Sequence, residues 1–338
     1  MPAPRDLVAA LKVSLAILSV LGCLGPAVAQ TSIDDVHVAP RQTAAALTGA
    51  LNASHLAERS GLHVIRTEAK LVLVPVVVVD GMQRFVTGLR QDNFEILEGK
   101  KPQPIQSVSS EDAPVSIGII IDTSGSMGGK MERVHEAVTQ FCEAANPQDE
   151  FFMIEFSDEP RLATDFTSAS EDLEHELLFA RPKGRTALLD AIYLGLHQMK
   201  KAKYGKRALL IISDGGDNHS RYGEREVKAA AKESDVMIYS IGVFDRYVPT
   251  AEEVRGPSLL SEIAEPTGGR AFTLQSASEM PAVAQRIGVE LRTQYVLAYR
   301  PRDISHDGKW HKIKVKLRLP RKLFLQARAK TGYYSTPQ

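Results

Sequence analysis

The chain has little cysteine, few aromatic residues and no net charge. Of its 338 residues only Cys23 and Cys142 are cysteines, which excludes a disulfide framework and any four-cysteine zinc site. Lys plus Arg and Asp plus Glu both total 41, so the formal net charge is zero. That balance argues against nucleic acid as a partner and against a disordered acidic or basic chain. The uncharged run Val13–Leu24 has 12 residues, whereas a bilayer needs about 20, so no transmembrane span is expected. Repeats and low-complexity tracts are missing too. What remains is an ordinary globular composition, 43% hydrophobic and 24% charged, in a chain long enough for two domains.

Residues 1–29 read as a secretory signal peptide. Arg5 and Lys12 supply positive charge, Gly25-Pro26 breaks any helix, and Ala27-Val28-Ala29 is a small-x-small cleavage site before Gln30. A buried N-terminal helix is the bland alternative. Another is a lipoprotein signal in Val20-Leu21-Gly22-Cys23 that would acylate Cys23, but Leu21 matches that pattern poorly, so ordinary cleavage is favoured. The expected location is secreted, periplasmic or on the cell surface.

Residues 30–65 carry Thr, Ala and Ser without sustained periodicity and read as a linker. Residues 66–112 read as an N-terminal β module. Leu71 to Val79 is β-branched and ends in the hairpin signal Asp80-Gly81, Phe85-Val86 and Phe94 to Glu98 continue as short strands, and Pro102, Pro104 and Pro114 mark a boundary. Residues 113–290 alternate strand and helix. Strands are expected at 115–121, 150–156, 208–212 and 236–243, with 161–166 as an edge neighbour. Helices are expected at 131–145, 187–199, 224–232, 259–264 and 280–291. This order predicts a sheet of mostly parallel strands covered on both faces. Residues 291–338 return to β. Lys312 to Leu319 alternates basic and apolar residues, giving one face of each kind.

The chemistry collects at strand ends. The first buried strand ends in Asp122-Thr123-Ser124-Gly125-Ser126-Met127, and the strand at 208–212 ends in Ser213-Asp214-Gly215-Gly216-Asp217. Between them Gly184-Arg185-Thr186 opens a helix and offers a third hydroxyl. In open α/β sheets ligands bind outside the carboxyl ends of strands. Oxygen ligands of which two are anionic suit a hard cation, Mg²⁺ first and Mn²⁺ or Ca²⁺ after it, rather than zinc. Taken singly, each piece has a bland reading: a turn at Asp122-x-Ser124-x-Ser126 or Asp214-Gly215, a helix cap at Thr186.

Together Asp122-x-Ser124-x-Ser126, Thr186 in Gly-Arg-Thr-Ala-Leu-Leu-Asp-Ala-Ile, and Asp214 in Ile-Ile-Ser-Asp-Gly resemble the metal-ion-dependent adhesion site of the von Willebrand factor type A domain. The flanks resemble those of secreted bacterial proteins that carry this domain between β segments. The resemblance implies a Rossmann-like α/β domain with a central, mostly parallel sheet flanked by helices. It implies a divalent cation held by Ser124, Ser126 and Thr186, with Asp122 and Asp214 coordinating directly or through water. It further implies a protein ligand that presents Asp or Glu to that cation. Chain order adds one expectation, that the two flanks combine into a single small β-sandwich.

Other signals carry less. Gly125 to Lys130 fails the phosphate-loop pattern at Ser124 and Met131, no Gly-x-Ser-x-Gly elbow occurs, and His135-Glu136 lacks the second His of a zinc protease helix. No catalytic residue and no organic cofactor is therefore expected. A metal-assisted hydrolase and a structural subunit with a fold-stabilising ion are the rival readings. Cys142 lies on an apolar helix stripe and reads as a buried thiol. Residues 300–330 hold eleven Lys and Arg against Asp303 and Asp307, which reads as an edge strand guarded by lysines, or else as a face for an anionic partner. Asn52-Ala53-Ser54 and Asn218-His219-Ser220 are glycosylation sequons, meaningful only in a eukaryotic host. Neither ligand identity nor oligomeric state can be read from these residues.

Mass spectrometry of the exported protein tests the leader. A mature N-terminus at Gln30 is expected, and a lipidated Cys23 would replace cleavage with anchoring.

Overall fold

The computed structural model describes residues 71–335 apart from 111, 215, 245–250, 303–307 and 320–323, with the side chains of 251–253 also left aside. The leader, the linker and Cys23 lie outside the described residues. In chain order the N-terminal flank supplies β1 (Val72–Asp80), β2 (Phe94–Glu98), β3 (Lys101–Gln103) and β4 (Ile105–Ser109). The middle of the chain supplies β5 (Val115–Asp122), α1 (Met131–Glu143), β6 (Glu150–Phe156), β7 (Pro160–Thr167), α2 (Ser170–Leu177) and α3 (Leu188–Gln198). It continues with β8 (Lys206–Ser213), α4 (Glu224–Glu233), β9 (Met237–Val243), α5 (Ala251–Ala264), β10 (Arg270–Leu274) and α6 (Met280–Arg292). The C-terminal flank adds β11 (Tyr295–Tyr299), β12 (Trp310–Leu317), β13 (Leu325–Ala329) and β14 (Gly332–Tyr334).

The central sheet runs β10-β9-β8-β5-β6-β7, parallel except for the antiparallel edge strand β7. Every residue of β5 is buried, as a strand covered on both faces requires. Ile117, Ile119 and Ile121 face one layer of helices, packing with Val134 and Phe141 of α1, Leu173 of α2 and Ile287 of α6. Ile120 faces the opposite layer, with Leu188 and Ile192 of α3, Val227 of α4 and Ile263 of α5. From β5 the chain first builds outward through β6 and β7, then returns to the other side of β5 with β8. The reversal leaves a crevice at the carboxyl ends of β5 and β8, where an open α/β sheet offers a binding position.

The flanks form two further antiparallel sheets, β13-β1-β11-β4 and β14-β12-β2-β3, each mixing strands from both ends of the chain. Val74, Val76 and Val78 of β1, Tyr295, Leu297 and Tyr299 of β11, Phe94 and Ile96 of β2 and Ile313 of β12 share one core. The two flanks thus make one sandwich, as chain order predicts. On β12, Ile313 is buried while Lys312, Lys314 and Lys316 are exposed, in keeping with the alternating pattern.

Several sequence expectations need correction. Asp80-Gly81 does turn the chain, but no hairpin strand follows: both sides of β1 are already occupied by β11 and β13, and Phe85 makes a single bridge to Val79. Pro102 marks no boundary, because it sits inside edge strand β3 opposite Leu97, where a missing N–H costs no ladder bond. Strands β4 and β10 and helix α2 escape the periodicity reading. Helix α5 begins at Ala251 rather than 259 and contains Pro257.

The sandwich is joined to the central sheet by a buried ion pair. Arg328 Nη2 of β13 donates to Glu290 Oε2 of α6 at 2.8 Å, and the Tyr239 hydroxyl of β9 donates to Glu290 Oε1 at 3.0 Å. The Glu290 side chain is 0% exposed. Replacing Arg328 by Met leaves that carboxylate buried without its bonded cation, at a cost of about 3–5 kcal/mol. Pairing it with Glu290→Gln, which keeps an acceptor for Tyr239, is expected to restore most of the loss in equilibrium urea unfolding. An equal loss in single and double variants would show that the ion pair is not what the site depends on.

Candidate functional site

Strand β5 delivers Asp122 to the crevice fully buried, 0% exposed, and Asp214 follows the end of β8 at 2%. Asp122 is held from both sides: its Oδ1 accepts the Ser124 N–H at 2.9 Å and its Oδ2 accepts the Ser213 hydroxyl at 2.6 Å. Burial, reinforced by the nearby negative charge of Asp214, pushes the Asp122 carboxyl up from the ordinary 3.8 to about 6. One cation answers the pair directly. Lys130 Nζ donates to Asp214 Oδ2 at 3.0 Å.

The Ser124 loop turns so that the hydroxyls of Ser124 and Ser126 stand 3.1 Å apart. Thr186 comes from the loop between α2 and α3, which is tied to the Ser124 loop at two points. Lys183 N–H donates to Thr123 O at 2.9 Å and Gly125 N–H to Gly184 O at 3.2 Å. Gly184 adopts φ +79°, and a Cβ there would lie 2.5 Å from Asp158 Oδ2. Only glycine meets both demands at once. Thr186 itself is buried, its N–H donating to Asn218 Oδ1 at 3.0 Å and its carbonyl accepting from Asn218 N at 3.0 Å. Helix α3 begins at Leu188 with Ala187 as its cap, so Thr186 neither opens nor caps that helix.

All five predicted residues thus lie at one edge of the sheet, Asp122 at the end of β5 and the other four on the segments beyond the strands. Four neighbours were not singled out from sequence: Ser213, Lys130, Asn218 and Asp158, whose Oδ1 accepts the Arg185 N–H at 2.9 Å. The adjacent positions Ser213-Asp214 and Arg185-Thr186 were the available signal. Asp217 supports the edge indirectly, its Oδ1 accepting from Leu189 N–H at 3.1 Å and from the Ser220 hydroxyl. Asp190 does the same, its Oδ1 accepting the N–H groups of Arg221 and Tyr222 at 2.9 Å each. Cys142 lies away from the site, and burial pushes its thiol up to about 12, far from a nucleophile.

A family model for the von Willebrand factor type A domain matches residues 116–286, just over half of the chain. The chain belongs to this family. An uncharacterized protein of Borreliella burgdorferi is 24% identical over 186 residues, covering 48% of this chain and 54% of that protein. The chain therefore spans about half the length of that curated relative. Among solved structures, BatB of Bacteroides thetaiotaomicron is 22% identical, covering 52% of this chain and 98% of that chain at a TM-score of 0.42. The type A domain of the pili tip protein Mfa5 from Porphyromonas gingivalis is 14% identical, covering 53% and 97% at 0.44. A von Willebrand factor type A protein from Catenulispora acidiphila is 11% identical, covering 80% and 75% at 0.47.

Type A domains imply a cation at this edge, and the donor set here is compatible with a hard one. Adjacent corners of an octahedron with arms of about 2.1 Å lie roughly 3.0 Å apart, close to the separation of the two serine hydroxyls. Among the described residues no three His, Cys, Asp or Glu converge, so an ion at this edge would meet at most two carboxylates and neutral hydroxyls, a set that does not suit zinc.

The raised Asp122 carboxyl has a consequence for the type A domain in chelator. A folded-state value above the unfolded one means that the folded chain holds the proton more tightly. The stabilisation this brings is complete below about pH 4 and lost above about 6, a swing on the order of 3 kcal/mol. Asp122→Asn lacks that proton equilibrium, so in EDTA it is expected to gain stability relative to the parent as pH rises from about 4 to 7. A difference that stays constant with pH in urea unfolding would show that Asp122 titrates normally.

Proposed function

We propose that this type A domain is an exported, non-catalytic protein-binding module. Its Asp122–Asp214 crevice would hold a divalent cation, Mg²⁺ before Mn²⁺ or Ca²⁺, with a coordination position left for an Asp or Glu of a partner protein. The carrying observation is that Asp122, at the end of β5, shares one sheet edge with Ser124, Ser126, Thr186 and Asp214 on the cross-tied segments beyond the strands. When bound, the ion supplies a Lewis-acidic position that a carboxylate oxygen enters by displacing water.

The chain's own residues do the rest. Ser124 N–H and the Ser213 hydroxyl orient the Asp122 carboxylate. The serine hydroxyls add oxygen donors without adding charge, so two carboxylates leave the ion roughly neutralised and receptive to a further anion. Gly125 and Ser126 are exposed beside these buried groups, so a partner side chain can reach the edge.

The bonding at this edge disfavours catalysis. His219, which follows Asn218, is a candidate base at this edge, with Nδ1 3.2 Å from Arg185 Nη1. A guanidinium can only donate, so Nδ1 accepts and the ring's remaining proton sits on Nε2, leaving neutral His219 a donor there. Among the described residues no helix is long and apolar enough to cross a membrane, and export rests on the leader at residues 1–29.

Calorimetric titration with Mg²⁺ tests the proposal. The parent is expected to bind one ion, and Asp122→Ala or Ser124→Ala to weaken it at least about tenfold, about 1.4 kcal/mol, with the circular dichroism spectrum unchanged. Affinity should also rise with pH through about 6, because the ion displaces the Asp122 proton. Undiminished binding in both variants would place the ion elsewhere.

A further inference from the structure

The edge that carries Asp122 and Asp214 segregates its charges. Carboxylates of the surrounding loops are engaged by backbone: Asp158 accepts Arg185 N–H, Asp190 accepts Arg221 and Tyr222 N–H, and Asp217 accepts Leu189 N–H. Glu159 is taken by the Arg221 guanidinium at 2.6 Å. Three cations stand exposed beside them. Arg181, Lys183 and Arg185 are exposed on five consecutive positions leading into Thr186. Among the described residues no carboxylate side chain pairs with Arg181 or Lys183, and Arg185 meets only its neighbour's ring at His219 and, through its N–H, Asp158. Because Lys183 N–H and Gly184 O are bonded to the Ser124 loop, the backbone that carries these cations is fixed beside the crevice.

We infer that the Arg181–Arg185 loop is a cationic rim that selects an acidic stretch of a partner protein, one carboxylate entering the crevice while its neighbours meet the rim. This rests on the function proposed above and names the class of ligand more narrowly. A lone Asp or Glu would leave Arg181 and Lys183 without anions, whereas acidic residues at alternate positions of an extended segment share one face and repeat about every 6.6 Å, a spacing that lets neighbouring carboxylates meet both. Complementary charge of this kind governs specificity and the rate of encounter. A nucleic acid fits less well. The whole chain is neutral, and three rim cations release few counterions.

Fluorescence anisotropy on the full chain, in millimolar Mg²⁺ and in EDTA, tests the rim with three labelled probes. These are a decapeptide alternating Asp and Gly, its Asn-Gly counterpart, and a single-stranded DNA of equal charge. With Mg²⁺ the parent is expected to bind the Asp peptide at least roughly tenfold tighter than the Asn peptide. The Arg181→Glu/Lys183→Glu/Arg185→Glu variant should lose that preference while still binding one Mg²⁺, at least as tightly as the parent because the added negative charge favours the cation. Arg181→Gln/Lys183→Gln, which removes only the unpaired cations, should lose part of it and keeps the test open where charge reversal prevents folding. A preference that survives both variants overturns the rim, and DNA binding as tight as the Asp peptide overturns its assignment to a protein segment. If the parent shows no Mg²⁺ isotherm, yet the Asp preference is present and falls on reversal, the rim stands and the cation reading fails.

Discussion

Two like charges confined in one dry crevice are the constraint on which this molecule turns. Asp122 and Asp214 end neighbouring parallel strands and are shielded almost completely from water. Each would be stabilised by solvent, and each raises the energy of the other. The fold offsets this with local donors: a backbone N–H and a hydroxyl on Asp122, an ammonium on Asp214. One fixed cation against two buried carboxylates still leaves an excess of negative charge. A structure that keeps such an excess, rather than replacing one Asp by an apolar residue of similar size, holds a site with a built-in appetite for positive charge.

Holding the two carboxylates in place requires a frame that does not relax. Strands β5 and β8 are hydrogen-bonded to each other and each to a further parallel neighbour, and both faces are sealed by separate helix layers. The loops above them are less regular, and their positions depend on specific bonds. Gly184 is where this is most exacting. Its left-handed backbone, pressed against the Asp158 carboxylate, lets its carbonyl reach Gly125 N–H. The loop that carries Thr186 is thereby fastened to the loop that carries Ser124 and Ser126.

Much of this was legible in the residues because the strongest signals are the ones physics makes least ambiguous. The apolar runs of β5, β6, β8 and β9 and the stripes of α1, α3, α4 and α6 are long and periodic, and each predicted ligand falls at an element boundary. The misses have local causes. Helix α2 is nearly all polar, with only Leu173 and Leu177 turned inward. Gly256-Pro257 interrupts the signal of α5, although the helix runs through it. Strand β10 is a half-exposed edge without alternation to betray it. The Asp80-Gly81 turn is real, yet which strands border β1 is decided by segments more than two hundred residues away, and no local pattern encodes that. Lys130 escaped notice for the same reason: a lysine at the start of a helix reads as solvated until the strand carrying Asp214 is placed beside it.

The flanks explain why the crevice is accessible at all. Strands β4 and β11 are hydrogen-bonded neighbours, with Ser109 opposite Val296, so the chain enters and leaves the central sheet side by side. The Arg292–Asp112 ion pair, 2.6 Å, closes that doorway. Entry is at the amino end of β5, and Asp122 lies at the other end of this strand of 8 residues, about 23 Å away. The connections to the sandwich therefore converge at one pole of the parallel sheet and the carboxylates at the opposite one. A partner approaching the Ser124 loop meets neither the entering nor the leaving chain. An insertion into a closed β framework thus does two things at once: it anchors both ends of the α/β domain at a single place, and it leaves the carboxyl edge of the sheet facing outward.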